Sequence, residues 1–198
     1  NRVHVANRPE LHTIETASGQ IQIIALPWLR RAALLSREDS LDLSFEEVNQ
    51  RLSQILSDIV RRLAEKLDPT LPAVVCAHVW VQGASPGSEH SMILGDEHTL
   101  LPSSLTPTGV DYVALGHIHR QQVVSDKPPV VYAGSLERVD FGEEAHDKGF
   151  YVVQVDPSKP AGERAVSYEF HVLPGRDFIT IRVEIEAGEI DPTAKVLS

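Results

Sequence analysis

Two short apolar runs, each closed by histidine, constrain what this chain can fold into. Residues 71–77 read Leu71-Pro72-Ala73-Val74-Val75-Cys76-Ala77 and end at His78. Residues 110–116 read Val110-Asp111-Tyr112-Val113-Ala114-Leu115-Gly116 and end at His117-Ile118-His119. Runs this short and this rich in aliphatics are the pattern of buried parallel strands. In open α/β folds, ligands gather at the carboxyl ends of such strands. Gly116 is expected to let the backbone turn there, so that the two imidazoles of the pair aim at one point. A lone histidine behind a strand is more often a loop or core residue. Three of them in matching strand-end positions read as one metal site, because imidazole is a common ligand of transition metals. His4, His12, His90, His98, His146 and His171 lack that setting and read as surface or structural residues.

The segment between residues 20 and 78 supplies the frame. Residues 20–26 alternate and then run apolar, and Pro27 stops them. Ser44 with Glu47 three residues on is a capping box that opens a helix. Phe45, Val48, Leu52, Ile55, Leu56, Ile59, Leu63 and Leu67 then share one face, with Arg51, Asp58, Arg61, Arg62 and Glu65 opposite. Asp68-Pro69 marks its end. Strand, helix and strand in this order suit a parallel crossover. Residues 2–6 and 11–16 read as edge strands, with a Ser18-Gly19 turn. Residues 79–107 break the pattern and read as a long loop with small irregular pieces, a length that is usually functional or disordered. Beyond the histidine pair, residues 121–124, 129–133, 149–155 and 165–172 read as an antiparallel run, and 177–186 as one further strand. The fold class is α/β: a partial, sheet-centred domain with a mixed or two-sheet core and a flanking helix.

Composition narrows the function classes. A length of 198 residues allows one domain with a sizeable core and part of a second. A formal net charge of −10 gives no general electrostatic footprint for nucleic acid, so any such contact needs metal ions or a local patch. The single cysteine, Cys76, rules out an internal disulfide framework and fits a reducing, cytoplasmic setting; inside a strand it is expected to be inert packing. No apolar stretch approaches the roughly 20 residues needed to cross a bilayer, and no glycine-rich nucleotide loop is present.

Three groups of residues carry a family resemblance. Ala77-His78, the stretch 111–120 ending Gly-His-Ile-His-Arg, and the stretch 132–143 reading Tyr-Ala-Gly-Ser-Leu-Glu-Arg-Val-Asp-Phe-Gly-Glu resemble the calcineurin-type metallophosphoesterases. Within that superfamily they are most similar to the SbcD-type DNA-repair nucleases. The Gly-His-Ile-His element marks only the wide superfamily; the Gly-Ser-Leu-Glu-Arg stretch and the Arg176-X-Phe178 start of a cap domain are more specific. The resemblance implies a manganese-dependent exonuclease and endonuclease that cuts DNA phosphodiesters in double-strand-break repair and recombination. It also implies a partner ATPase of the structural-maintenance type (SbcC) and a homodimeric complex. His78 and His117 would bind one ion and His119 the other. Arg120, Ser135 and Arg138 are expected to contact DNA phosphates, because a nuclease that reads the backbone needs cations or donors beside the scissile group; equally open is that Arg138 pairs with Glu137, Asp140 or Glu143 on the surface.

The family's Asp-X-His, bridging Asp and Gly-Asn-His-Asp motifs do not occur here. The asparagines are Asn1, Asn7 and Asn49, and none precedes His-Asp. Residues 1–173 therefore resemble the back portion of a nuclease domain, and 174–198 the opening of a cap. Three histidines bring no negative charge to offset two dications, so the chain alone is expected to be inactive. Two other readings stay open: a metallophosphoesterase acting on small phosphodiesters or phosphoproteins, and a non-enzymatic structural module.

Overall fold

The computed structural model describes residues 3–35, 43–87, 99–185 and 192–197. A hairpin opens the fold: β1 (Glu10–Thr16) pairs antiparallel with β2 (Gly19–Leu26) through a tight turn. A four-residue helix α1 (Arg31–Leu34) follows, and then the long helix α2 (Phe45–Ala64). The Ser44 hydroxyl accepts from the Glu47 amide at 3.3 Å and the Glu47 carboxylate accepts from the Ser44 amide at 2.8 Å, the reciprocal capping expected of this spacing. The chain returns through β3 (Ala73–His78), which lies parallel to β2. The strand–helix–strand crossover read from the sequence is present.

Short pieces then fill the irregular stretch: β4 (Trp80–Val81) pairs parallel with β5 (Thr99–Leu100), and α3 (Pro102–Leu105) follows. The second apolar run becomes β6 (Tyr112–Gly116), parallel to β3, and next come β7 (Gln122–Asp126) and β8 (Pro129–Tyr132). The main sheet has the order β1-β2-β3-β6-β8-β7. Strands β9 (Gly149–Val155) and β10 (Ala165–Val172) form a separate antiparallel pair, and α4 (Pro192–Leu197) lies near the end of the chain.

The expected antiparallel run holds for β7 with β8 and for β9 with β10, while β8 joins β6 in parallel. Two expected strands do not form. Residues 3–6 and 177–185 have strand-like composition, but neither carries strand pairing. Val3, Val5, Ile179 and Ile181 are all more than two-thirds exposed. Alternating apolar residues make a strand only where a neighbour offers a ladder of amides and carbonyls and a face to pack on.

The core sits between α2 and one face of the sheet. Leu56 and Val60 of the helix are buried with Ile24, Leu26, Val75, Ala77, Val113, Leu115, Val130 and Tyr132 of the strands, while Val48 and Leu52 are buried with Leu35 in a second, smaller cluster. Phe45, expected on that face, is the first residue of the helix and is 54% exposed. The opposite sheet face is open among the described residues. There Ile23, Ala25, Cys76 and Ala114 line a groove of about 520 Å³ with Ile14, His4 and His12. Cys76 is therefore exposed rather than packed inside. Strand alternation decides this: Ala73, Val75 and Ala77 take the buried face, which leaves Cys76 and His78 on the other. No helix among the described residues is long and apolar enough to cross a membrane.

At the amino end of β6, buried Asp111 joins distant segments. Its carboxylate accepts from the amides of Ala73 (2.9 Å), Gly162 (2.7 Å) and Arg164 (3.1 Å), with the Arg164 guanidinium 3.7 Å away. Replacing Leu56 by Ala should lower unfolding stability by about 2–5 kcal/mol in urea titrations, whereas Phe45→Ala should change it by less than about 0.5 kcal/mol. Equal losses at both positions would contradict this placement of the core.

Candidate metal centre

Strands β2, β3, β6 and β8 run parallel, so their carboxyl ends meet at one edge of the sheet. His78 is the last residue of β3 and His117 follows β6 directly; their ring centroids are 5.1 Å apart. Trp28, from the loop after β2, stacks on His117 at 5.2 Å and meets His78 edge-on at 6.1 Å. Trp80 meets His117 edge-on at 6.0 Å. Both tryptophans of the chain thus pack on the imidazole pair. Nothing in the sequence pattern singled them out, since the loop positions that bring them here are set by the sheet.

The turn at the histidine pair is made differently from the expectation. His117 itself takes the left-handed conformation, with φ of 103°, which is uncommon for a residue with a side chain. Gly116 serves by being small. A Cβ there would stand 3.1 Å from His78 Nδ1, so a side chain would require the His78 ring to give by a few tenths of an ångström.

His119 is held by a second set of partners. Its Nδ1 lies 2.8 Å from Glu143 Oε1. Glu143, in the 3₁₀ turn Phe141–Glu143, is fully buried; its Oε2 accepts from the Val139 amide at 2.9 Å and from Lys148 Nζ at 3.0 Å. Lys148, itself 1% exposed, also donates to the His119 carbonyl (3.0 Å) and to Ser135 Oγ (2.8 Å). Burial pushes the Glu143 carboxyl up, but the hydrogen bonds from Val139, Lys148 and His119 outweigh it and hold it at about 2. Glu143 closes the Gly-Ser-Leu-Glu-Arg stretch, where the sequence assigned it no role, and Lys148 carried no sequence signal at all.

The structure thus brings His78 and His117 together and turns His119 toward Glu143. Among the described residues no group of three or more His, Cys, Asp or Glu gathers as a ready metal cage. Arg120 is exposed beside the pair. Ser135 and Arg138 are engaged within the chain: Ser135 Oγ donates to the Glu137 carbonyl at 2.8 Å, and Arg138 bonds the Arg176 carbonyl (3.2 Å) and Asp177 (3.1 Å). Of the other histidines, His4 packs on His12 and His171 stacks on Phe150, while His90 and His98 lie outside the described residues.

Comparison with known proteins narrows the class. The chain is 35% identical over 141 residues to the SbcD component of the SbcCD nuclease of Rhodobacter capsulatus, covering 67% of this chain and 33% of that protein. It is 30% identical over 108 residues to the Bacillus subtilis protein of the same name, covering 54% and 26%. It is also 42% identical over 67 residues to the uncharacterized metallophosphoesterase YhaO of Bacillus subtilis, covering 33% and 15%. No family model matches. The mixed sheet and these relatives define the class as a metallophosphoesterase fold in part. More narrowly, the chain carries an SbcD-type metallophosphoesterase region. It spans about a third or less of the length of the relatives it matches.

Gly134 and Glu143 allow this packing to be checked. Gly134 has φ of 80°, and a Cβ there would stand 2.8 Å from the His119 carbonyl oxygen and 2.9 Å from the Gln121 amide. Gly134→Ala should therefore destabilise the chain by at least about 1 kcal/mol and shift the His119 ring resonances; an unchanged spectrum would contradict this packing. Because Glu143 titrates at about 2 rather than the usual 4.5, the stability it contributes is complete above about pH 4.5. That stability is lost as pH falls toward 2. Acid unfolding of Glu143→Gln should lack this component, which circular dichroism against pH would show.

Proposed function

We propose that this chain is part of a divalent-metal-dependent DNA nuclease that hydrolyses phosphodiesters during double-strand-break repair and recombination. The observation that carries the reading is the pair His78 and His117 at one sheet edge, in a chain 35% identical to a nuclease component. His78, His117 and His119 would hold metal, with manganese as the proposed ion. The donor set fits this in part. Two adjacent imidazoles suit one divalent ion, and Glu143 on Nδ1 leaves Nε2 of His119 as its ligand nitrogen. The three imidazoles lack the negative charge that two closely spaced dications need. When bound, a pair of such ions lowers the pKa of a water and clamps the attacking and leaving oxygens of the phosphodiester.

The chain's own residues bind and orient. Trp28 and Trp80 fix the planes of His117 and His78, and Glu143 fixes that of His119. Arg120 would meet a DNA phosphate beside the ions. Ser135 and Arg138 would do so only after exchanging their present partners, Lys148 and Asp177. Residues 1–173 would form the back portion of the nuclease domain, and 174–198 the opening of a cap. The open apolar face of the sheet supports a domain completed by further protein. The working assembly would join this chain to an SbcC-type subunit, as the name SbcCD of the matching relatives suggests; that this partner is an ATPase and that the complex is a homodimer rest on the family resemblance, and a cytoplasmic setting on the single cysteine. The similarity to YhaO keeps a second reading, a metallophosphoesterase with a smaller phosphodiester substrate.

The 198 residues alone should not cut DNA at a rate near that of a full-length relative. Most groups of a concerted site would be missing, and each commonly costs orders of magnitude. Linear duplex and single-stranded DNA incubated with manganese and the purified chain should stay intact; cleavage abolished by His117→Ala would overturn this. In a longer protein containing the chain, Arg120→Ala should weaken DNA binding and reduce the salt slope by about one. An unchanged slope would remove Arg120 from the interface.

A further inference from the structure

The Glu143–Lys148 pair does more than fill the core. A carboxylate and an ammonium this deeply buried cost desolvation, and an apolar pair of like volume often replaces them without loss of stability. Their geometry points elsewhere. One Glu143 oxygen, Oε1, is directed at His119 Nδ1; the other, Oε2, is occupied by the Val139 amide and Lys148 Nζ. Lys148 in turn bonds the His119 carbonyl and Ser135 Oγ. A single buried ammonium therefore holds both the backbone of His119 and the carboxylate that meets its ring. The Ser135 amide bonds the same His119 carbonyl at 3.1 Å and closes the cluster.

We propose that Glu143, locked by Lys148, is a positioning residue for His119: it accepts Nδ1–H, selects that tautomer, and presents the Nε2 lone pair to a divalent cation at the sheet edge. An imidazole in water prefers the opposite tautomer, with the proton on Nε2 and no lone pair there. Glu143 Oε1 has no proton to give while ionised, so at this contact the ring must be the donor. Hydrogen bonding of the far nitrogen to a carboxylate also raises the basicity of the ligating one. The 3₁₀ turn that carries Glu143 is braced from outside. Glu144 accepts from the Thr180 amide (2.9 Å) and hydroxyl (2.7 Å), and Phe141 packs edge-on against Phe178 at 4.9 Å. The inference rests on the reading of His119 as a metal ligand, but the tautomer can be tested apart from it.

The test uses the 198-residue chain at a pH where the imidazole is neutral, with manganese(II) alone as the probe. Long-range 15N–1H spectra report the His119 tautomer, and paramagnetic broadening of its ring signals against manganese concentration reports affinity. The parent chain should show the Nδ1–H form. Because Glu143→Leu alone would strand a buried ammonium, two charge-free doubles are compared: Glu143→Leu with Lys148→Met, and Glu143→Gln with Lys148→Met. The Gln double keeps an acceptor for Nδ1–H and should keep the tautomer and most of the affinity. The Leu double should revert to the Nε2–H form and bind manganese about 10–100-fold more weakly. A purely structural pair would leave the two doubles alike, and that result overturns the proposal, as would an Nε2–H tautomer in the parent chain. If His119→Ala binds manganese like the parent, the ligand reading falls instead, while the tautomer still decides whether Glu143 orients the ring.

Discussion

Parallel pairing of four strands is the constraint on which the rest depends. With β2, β3, β6 and β8 all pointing one way, every loop that leaves a carboxyl end emerges at the same edge. Residues separated by up to about 90 positions, Trp28 and His117 among them, meet there without any local signal bringing them together. The constraint is imposed by α2, whose Leu56 and Val60, flanked by Ile59 and Leu63, must find an apolar sheet face. A helix packed on a sheet returns the chain to the same starting end, so the next strand is parallel to the last.

Buried charge appears at both ends of this sheet and does different work at each. At the amino end, Asp111 gathers three backbone amides and the Arg164 side chain, all intramolecular and all satisfied. That is an anchor: it joins β3 and β6 to the turn ahead of β10. At the carboxyl end, Glu143 and Lys148 form a pair as deeply buried, but one oxygen of the carboxylate is turned toward a ring that is 34% exposed. A buried charge aimed at a partly exposed imidazole sets the orientation of that imidazole. The same chemical group thus holds the scaffold in one place and a candidate ligand in the other.

The sheet edge is also where local preference is overridden. His117 adopts a left-handed backbone that a residue with a Cβ seldom takes, and the cost is borne by the contacts around it. Trp28 stacks on its ring, and Trp80 and His78 meet it edge-on. Gly116 and Gly134 are required by neighbours rather than by their sequence surroundings: the first makes room for His78, the second for the His119 carbonyl.

Much of the frame was legible in the residues alone, because periodicity and capping are local. The capping box placed the start of α2, the alternation in 20–26 marked β2, and the two apolar runs marked β3 and β6 with histidine at their ends. The motif around Ser135 to Glu143 pointed to the family that the relatives then supported. What only the tertiary structure decided was most of the relations between distant segments beyond the β2–α2–β3 crossover. Alternating residues in 3–6 and 177–185 could not announce that no neighbouring strand would pair with them. Nor could Cys76 announce that, among the described residues, its face of the sheet would stay exposed. The contact of His119 with Glu143 spans 24 positions, and Lys148 enters it from a third segment. A hydrogen bond of that kind depends on where the chain folds back, which the residues encode only collectively.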